Sequence, residues 1–311
     1  MSRGYSPGEL PTPQEGTRRV EENKPLLERE NSSPEISRGG GEETQSRTGT
    51  NPDLRTAESR SIGPRKPWEV RDRSYALRSS ELQTMADIGK FRAIATKDLE
   101  RFAYAGNRKH LEADLTNLRR QGLLVEREIP DREDSPRRLV ALTKEGRRLL
   151  LSAKAVPEEQ AVYHGFVKPR EAHHDADLYR LYQHGVERIA REGGKNPRVI
   201  LDSELKRDLY RELAKAGRKG PSSDVRAEIA ERHGLTVVRG KIPVPDLRIE
   251  YETRDDQPAH LDLELATEHY RSQNLGQKAR AGFSIYARPK DASNLRRVLD
   301  QQELTAEILN Q

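Results

Sequence analysis

Residues 107–150 decide the fold of this chain, and they read NRKHLEADLTNLRRQGLLVEREIPDREDSPRRLVALTKEGRRLL. Asn107 can cap a helix that runs from Arg108 to Gln121, because a side-chain oxygen at this position accepts a free backbone N–H of the first turn. Leucines recur at helical spacing along one face of this helix, at Leu111, Leu115 and Leu118. Gly122 follows as a C-terminal cap. The segment therefore begins with a well-delimited amphipathic helix whose outer face is basic.

Two strands and a closing helix follow this amphipathic helix. Residues 123–129 and residues 138–142 have the apolar, β-branched composition of strands. Between them lies a polar loop, residues 130–136, with a proline at each end. Thr143 can then cap a helix over residues 144–153. The pattern predicts a helix, a β-hairpin with a charged loop, and a second helix.

Two further helices are predicted upstream. The sequence Ser80-Glu81-Leu82-Gln83 has the form of a capping box, and apolar residues recur at helical spacing up to Ile94. Thr96 can cap a short second helix that ends near Gly106. Together with the segment that follows, this succession resembles winged-helix regulators. The resemblance implies a winged helix-turn-helix domain, residues 78–154, that binds double-stranded DNA.

Within this domain the resemblance implies two classes of DNA contact. The N-terminal side of the third helix faces the major groove, where side chains reach base edges, and other cations of the helix and wing meet phosphates. The base-edge candidates are Asn107, Arg108, Lys109 and Glu112. The phosphate candidates are Arg119, Arg120, Arg132, Arg137 and Arg138. Two alternatives stay open, an ordinary solvated helix face and a winged helix that contacts proteins.

Three acidic residues stand out further along the chain. Asp246 follows Pro245 at the start of a predicted strand, and Asp262 and Glu264 lie two residues apart on the next strand. Alternate residues of a strand point to the same face, so these carboxylates converge if the two strands are neighbours. Carboxylates gathered in this way repel one another unless a cation intervenes, and oxygen ligands suit Mg²⁺ or Mn²⁺. The alternative is a surface strand with a charged outer face.

The acidic pattern resembles the PD-(D/E)xK nuclease superfamily, in which an Asp after Pro, a second acidic residue and a Lys bind metal and activate water. This resemblance implies a restriction-endonuclease-like α/β domain over residues 171–311. The implied catalytic residues are Asp246, Asp262, Glu264 and Lys278, and the first three are the implied metal ligands. The sequence departs from the pattern at Ala266, where the Lys is expected, so Lys278 on the following helix is the substitute.

The winged-helix segment and the acidic pattern together resemble the replication-relaxation family of plasmid and mobile-element proteins. In that family a winged helix precedes a PD, an acidic pair two residues apart followed by Thr, and then a Lys and a Tyr. The matching residues here are Pro245, Asp246, Asp262, Glu264, Thr267, Lys278 and Tyr286. The acidic pair has Asp before Glu, the reverse of the family's order, which keeps the charge but alters the reach.

Composition limits what the rest of the chain can form. Only 33% of the 311 residues are hydrophobic and 34% are charged, which favours small domains with disordered segments over one large core. Residues 1–70 lack apolar periodicity, so we expect a disordered tail there. The sequence has no cysteine, which excludes disulfides and thiolate zinc sites. It has no long apolar run or leader signal, so we expect a cytoplasmic protein without membrane partners.

Two functions remain open from the sequence. In the first, a mixed α+β protein uses its winged helix to recognise duplex DNA in plasmid replication, relaxation or transfer. In the second, the protein is a Mg²⁺- or Mn²⁺-dependent nuclease that cuts DNA held by the winged helix. The departure at Ala266 favours the first. Replication or transfer proteins and a second copy of the chain are further partners left open. Adjacent His173 and His174 diverge on a helix, so we expect solvated or capping side chains rather than metal ligands.

Overall fold

The computed structural model describes residue 60 and residues 62–130, 136–166, 169–216, 222–266, 272–287, 289–300 and 308–310. These residues belong to one compact unit of the chain, Gly49–Gln311. They form a mixture of helices and strands, which confirms the predicted mixed α+β class. Among the described helices, none is both long enough and apolar enough to cross a membrane.

An antiparallel hairpin opens the described part of the chain. Strand β1 spans Lys66–Val70 and strand β2 spans Arg73–Leu77, with Trp68 directly opposite Tyr75. Tyr75 is buried and Trp68 is half-buried against the core, so both remove apolar surface from water. The predicted disordered tail included β1, and that part of the prediction was wrong. Residues 1–59 lie outside the described residues.

Residues 79–152 form an assembly of short helices around a small sheet. Its elements are α1 Ser79–Lys90, β3 Ile94–Ala95, α2 Thr96–Ala103, α3 Arg108–Arg120, β4 Leu124–Ile129, β5 Arg137–Leu142 and α4 Lys144–Ser152. The sheet has the order β3-β5-β4, and β5 is antiparallel to both neighbours. The side chains of Asn107 and Thr143 cap α3 and α4, which confirms both predicted caps.

Helix α1 begins differently from the prediction. The capping box assigned to Ser80–Gln83 was wrong, because α1 begins at Ser79 and the backbone N–H of Arg78 donates to Glu81 Oε2 at 2.8 Å. Ser80 is buried instead, and its hydroxyl donates to Asp114 Oδ2 of α3 at 2.6 Å. A buried hydroxyl needs a hydrogen-bond partner, and a residue far along the chain provides it here.

The larger sheet is formed by the C-terminal half of the chain. The strands of this sheet and the helices around it are, in chain order, α5 Pro169–Arg191, β6 Lys195–Leu201, α6 Asp202–Lys215, α7 Ser223–Arg232, β7 Leu247–Glu252, β8 Pro258–Ala266, α8 Ser272–Arg280, β9 Ser284–Ala287, α9 Pro289–Asp300 and β10 Ile308–Asn310. The sheet has the order β10-β9-β8-β7-β6. Strands β6, β7 and β8 are antiparallel neighbours, whereas β8, β9 and β10 run parallel. The strands that carry the acidic residues, β7 and β8, are therefore adjacent.

Helices cover both faces of the larger sheet. On one face, Ile249 and Leu263 are fully buried in a core shared with α5. A Cβ at Gly185 of α5 would lie 2.5 Å from Ile249 Cδ1, so glycine permits the close approach of helix and sheet. On the other face, Ile200 packs in a separate apolar cluster with residues of α6 and α7. The apolar side of β8, which carries Leu263, thus faces a core.

The smaller and the larger assembly share one hydrophobic core. They were predicted as two domains, residues 78–154 and residues 171–311. The ring of Phe91, which follows α1, lies 5.4 Å from the rings of Tyr179 and Tyr182 of α5. Beside these rings, a group that we call the buried ion cluster joins α2, β5 and α5. It consists of Asp98, Arg137, Asp177 and Arg180. Aromatic packing and buried ion pairs thus hold α5 directly against the smaller assembly.

Candidate nucleic-acid interface

Helix α3 presents a narrow exposed surface that we call the α3 stripe. It consists of Lys109, Ala113, Thr116 and Arg120, all exposed. Positions three and four residues apart lie on one side of a helix, so the four side chains form a single row. Arg108 is exposed beside the row. The stripe therefore has a cation at each end and two small side chains in the middle.

A buried polar network holds the inner face of α3 against α1 and α2. Asp114 is fully buried, and its Oδ2 accepts hydrogen bonds from Ser80 Oγ at 2.6 Å and from the Tyr104 hydroxyl at 2.9 Å. The same hydroxyl lies 2.6 Å from Thr84 Oγ1 of α1. Burial raises the pKa of Tyr104, so its hydroxyl stays protonated and can donate to Asp114. Because α3 is fixed from within, the α3 stripe faces outward.

Strand β2 flanks the C-terminal half of α3. Gln121 Oε1 accepts the backbone N–H of Ala76 at 2.9 Å, and Gln121 Nε2 donates to the Ala76 carbonyl at 3.0 Å. Asn117 Nδ2 donates to the same carbonyl at 3.1 Å. These contacts place the β1–β2 hairpin, with exposed Arg71 and Arg73, beside the helix. This hairpin was not predicted, although the alternation of aromatic and polar residues in its sequence is a signal of strands.

Strands β4 and β5 flank the other side of α3 through a row of surface ion pairs, the ion ladder. Arg119 Nη1 lies 3.0 Å from Glu126 Oε2, and Arg138 Nε lies 3.4 Å from Glu126 Oε1. Arg138 also pairs with Glu112 of α3. Arg119 and Arg138, which were predicted to contact phosphates, thus form ion pairs with carboxylates of the protein. The cations of the α3 stripe lie outside the ladder.

Other predicted DNA-binding residues have different surroundings. The prediction that Arg137 contacts phosphate was wrong. Its side chain is buried, with Nη2 3.2 Å from Asp98 Oδ2 and Nη1 2.7 Å from Asp177 Oδ1. Neighbouring residues of a strand point to opposite faces, so Arg137 faces α2 and α5 while the next residue faces solvent. Asn107 uses its side-chain oxygen to accept a backbone N–H of α3 at 3.1 Å. Arg132 lies outside the described residues.

The larger sheet brings together three of the four predicted catalytic residues. Lys278 Nζ of α8 lies 2.8 Å from Glu264 Oε2, which also accepts the backbone N–H of Asp246 at 3.2 Å. Asp246 Oδ2 accepts the backbone N–H of Leu265 at 2.9 Å. Glu264 is only 1% exposed, so the ion pair with Lys278 compensates the loss of its hydration. Lys278 thus reaches Glu264 from α8, the helix on which the resemblance places the substitute lysine.

His174 of α5 completes this group, which we call the acidic cluster. Its Nε2 lies 3.4 Å from Asp246 Oδ2, and its Nδ1 lies 3.6 Å from Asp175 Oδ1. Burial lowers the pKa of His174, but the two carboxylates outweigh burial and raise it to about 10, so the ring is charged at neutral pH. Burial raises the pKa of Asp246, but His174 and Lys278 hold it below its ordinary value. The ion pairs of His174 with two carboxylates were not predicted, and its side chain remains 39% exposed.

Asp262 does not join the acidic cluster, so the prediction of three converging carboxylates was wrong. Arg248 lies directly opposite on β7, with Nε 2.6 Å from Asp262 Oδ1 and Nη2 2.8 Å from Oδ2. Arg248 also donates to the carbonyls of His233 and Gly234, in the wall of a polar cleft of about 530 Å³. Among the residues that the structure describes, no group of three or more His, Cys, Asp or Glu is arranged to hold a metal ion.

Tyr286, the last residue of the family motif, does not lie at the acidic cluster. Tyr286 pairs with Leu265 in the β8–β9 register, so it lies on the opposite face of the sheet from Glu264. Its ring stacks on His184 of α5 at 6.2 Å between centroids. Thr267 lies outside the described residues.

Comparisons of the chain with protein-family models, curated proteins and solved structures gave no match.

Proposed function

We propose that this protein binds double-stranded DNA through a winged helix formed by residues 78–154, with the α3 stripe in the major groove. The observation that carries the proposal is the α3 stripe itself, an exposed row with cations at both ends and small side chains between them. The major groove of B-DNA is about 12 Å wide and admits an α-helix. The sequence resemblance favours a role in plasmid replication, relaxation or transfer.

The charges around α3 favour a polyanionic partner. Of its two acidic residues, Asp114 is fully buried, and Glu112, whose side chain is 37% exposed, pairs with Arg138 in the ion ladder. Arg108, Lys109 and Arg120 are exposed. A surface on which only one sign of charge is unpaired attracts a ligand of the opposite sign.

The flanks of α3 also fit a duplex. A helix in the major groove has a phosphate backbone on each side, and cations on neighbouring elements can contact it. The β1–β2 hairpin on one side carries exposed Arg71 and Arg73. On the other side of α3, Arg119 and Arg138 lie in the ion ladder. We assign these cations to phosphates, which add affinity without sequence preference.

Titration of labelled duplexes with the full chain at several salt concentrations tests the proposal. The affinity should fall steeply as salt rises, because cations that contact phosphates release counterions from the DNA. The substitutions Lys109→Ala and Arg120→Ala should each weaken binding to a preferred duplex by about 1–3 kcal/mol. Arg211→Ala removes a cation of α6 whose side chain is 59% exposed, and this matched control should keep wild-type affinity.

Two outcomes would contradict the proposal. The folded chain would show no binding to any duplex at low salt, or Arg211→Ala would lose as much affinity as the two α3 substitutions. The second outcome would mean that attraction to the whole basic chain, rather than to α3, accounts for the binding.

DNA cleavage is a second candidate function, which the position of Lys278 beside Glu264 and Asp246 favours. The described residues do not fit the three-carboxylate metal site that the nuclease resemblance implies, because Arg248 holds Asp262. Incubation of supercoiled plasmid with the full chain and Mg²⁺ or Mn²⁺ tests this candidate. Nicking that is lost in Lys278→Ala would establish cleavage, whereas unchanged plasmid would leave DNA binding as the function.

A further inference from the structure

The middle of the α3 stripe is lined by methyl groups, which DNA binding as such does not require. Ala113 and Thr116 are both exposed between the charged ends of the stripe. Alanine is the best helix former, but threonine is unfavourable in a helix interior because its branched side chain loses rotamer freedom there. Helix formation therefore accounts for Ala113 and leaves Thr116, at an exposed position in mid-helix, to be explained by another role.

The α3 stripe is long enough to face several base pairs. An α-helix rises about 1.5 Å per residue, so Lys109 and Arg120 lie about 16.5 Å apart along the axis, and Ala113 and Thr116 about 4.5 Å apart. A helix in the major groove follows the groove, so its successive turns face successive base pairs. Ala113 and Thr116, about one turn apart, then lie opposite adjacent base pairs between the two cations.

We propose that the α3 stripe selects duplexes with thymine on two adjacent central base pairs and guanine towards each end of the site. This inference rests on the proposed function. Of the four bases, only thymine presents a C5-methyl group in the major groove, and the methyl groups of Ala and Thr pack against it. Lys and Arg recognise the O6 and N7 acceptors of guanine. Arg120, assigned to phosphate by the sequence pattern, reads a base in this arrangement.

Selection of binding sites by the full chain from a random duplex library tests the inference, followed by replacement of each selected thymine by uracil. Uracil lacks only the methyl group, so the hydrogen-bonding edge of the base pair stays the same. Burial of one such group contributes about 0.8 kcal/mol, so each contacted thymine should lose about fourfold in affinity when it is replaced. Fluorescence anisotropy with labelled duplexes measures the Kd values.

The substitution Thr116→Ser tests the same methyl contact from the side of the protein. It removes the methyl group and keeps the hydroxyl, so the uracil penalty should disappear at one of the two central positions. Thr236→Ser makes the same change at an exposed position outside α3, and this matched control should keep the full penalty. Melting curves by circular dichroism establish that both variants are folded.

Enrichment of central thymines, a uracil penalty, and its loss in Thr116→Ser would support the inference. Selected duplexes without central thymines, no uracil penalty, or a full penalty in Thr116→Ser would overturn it while DNA binding stands. If no duplex is enriched and the folded chain does not bind duplex DNA at low salt, the proposed function fails and the inference fails with it.

Discussion

The substitution Arg137→Ala separates a structural role from a DNA-binding role within strand β5. Arg137 and Arg138 are neighbours, and each pairs with two carboxylates. The side chain of Arg137 is 8% exposed, whereas that of Arg138 is 26% exposed. The two positions therefore offer the same residue type, on the same strand, in a buried and in a surface ion pair.

The magnitude follows from the buried ion cluster. Loss of Arg137 leaves Asp98 and Asp177 in the core, each 3% exposed. Removal of one partner of a buried ion pair costs about 3–5 kcal/mol, because the charge that remains is poorly compensated. Asp98 keeps Arg180, whose Nη2 lies 2.8 Å from Oδ1, so we expect about 3 kcal/mol, the lower end of that range. Loss of Arg138 breaks surface pairs and should cost about 0–1 kcal/mol.

Urea denaturation followed by circular dichroism measures both free energies of unfolding. The midpoint of Arg137→Ala should fall well below that of the wild type, and the midpoint of Arg138→Ala should stay close to it, with similar m-values. Adding Asp177→Asn to Arg137→Ala should restore part of the loss, because that change removes a carboxylate left without its arginine. The DNA affinity of Arg137→Ala, measured while it is folded, should equal that of the wild type. Unchanged stability together with weaker binding to every duplex would refute this reasoning and make Arg137 a phosphate contact.

Three other predictions concern buried or half-buried polar groups. Asp114→Asn should lower the free energy of unfolding by about 1.5–3 kcal/mol, the strength of hydrogen bonds to a charged group, and unchanged urea unfolding would contradict the network beneath α3. Glu264→Gln should destabilise the chain by a similar amount, about 1.5–3 kcal/mol, because Lys278 loses its charged partner. A higher melting temperature would instead indicate repulsion among carboxylates. Burial, assisted by Arg101, lowers the pKa of His184, so the folded chain favours the neutral ring. The contribution of the neutral His184 ring to stability should be complete at pH values above the ordinary histidine pKa of about 6.5. It should be lost as the pH falls below that value. His184→Phe should flatten that loss in melting curves at pH 7 and pH 5, and equal pH dependence of both proteins would count against this role.

The sequence predicts best those features of the fold that depend on neighbouring residues. Asn107 and Thr143 cap their helices because each side chain bonds a backbone N–H three residues ahead. Gly122 has a φ of +71°, the left-handed conformation that ends α3 and that glycine adopts without strain. Interactions of this range are complete within one turn of helix, but the cap predicted at Ser80 by the same reasoning was wrong, because Ser80 bonds Asp114 of α3 instead.

Ion pairs across the fold could not be predicted in the same way. Arg137 and Arg138 are identical side chains in the same local sequence, and only the packing of α2 and α5 against β5 buries the first. Asp262 was expected to join Glu264 because both lie on one face of β8, which the structure bears out. Arg248 stands opposite Asp262 through the register of β7 and β8, and that register is set by the whole sheet.

The hydrogen bonds between Gln121 and strand β2 also affect aggregation. An edge strand exposes backbone N–H and C=O groups to which a strand of another molecule can add. The side-chain amide of Gln121 binds both backbone groups of Ala76, in the manner of a neighbouring strand. It thereby blocks strand addition at this point while it holds the hairpin beside α3. Loss of that amide would leave an open β-edge at the surface assigned to DNA, where chains concentrated along one duplex would meet it most often.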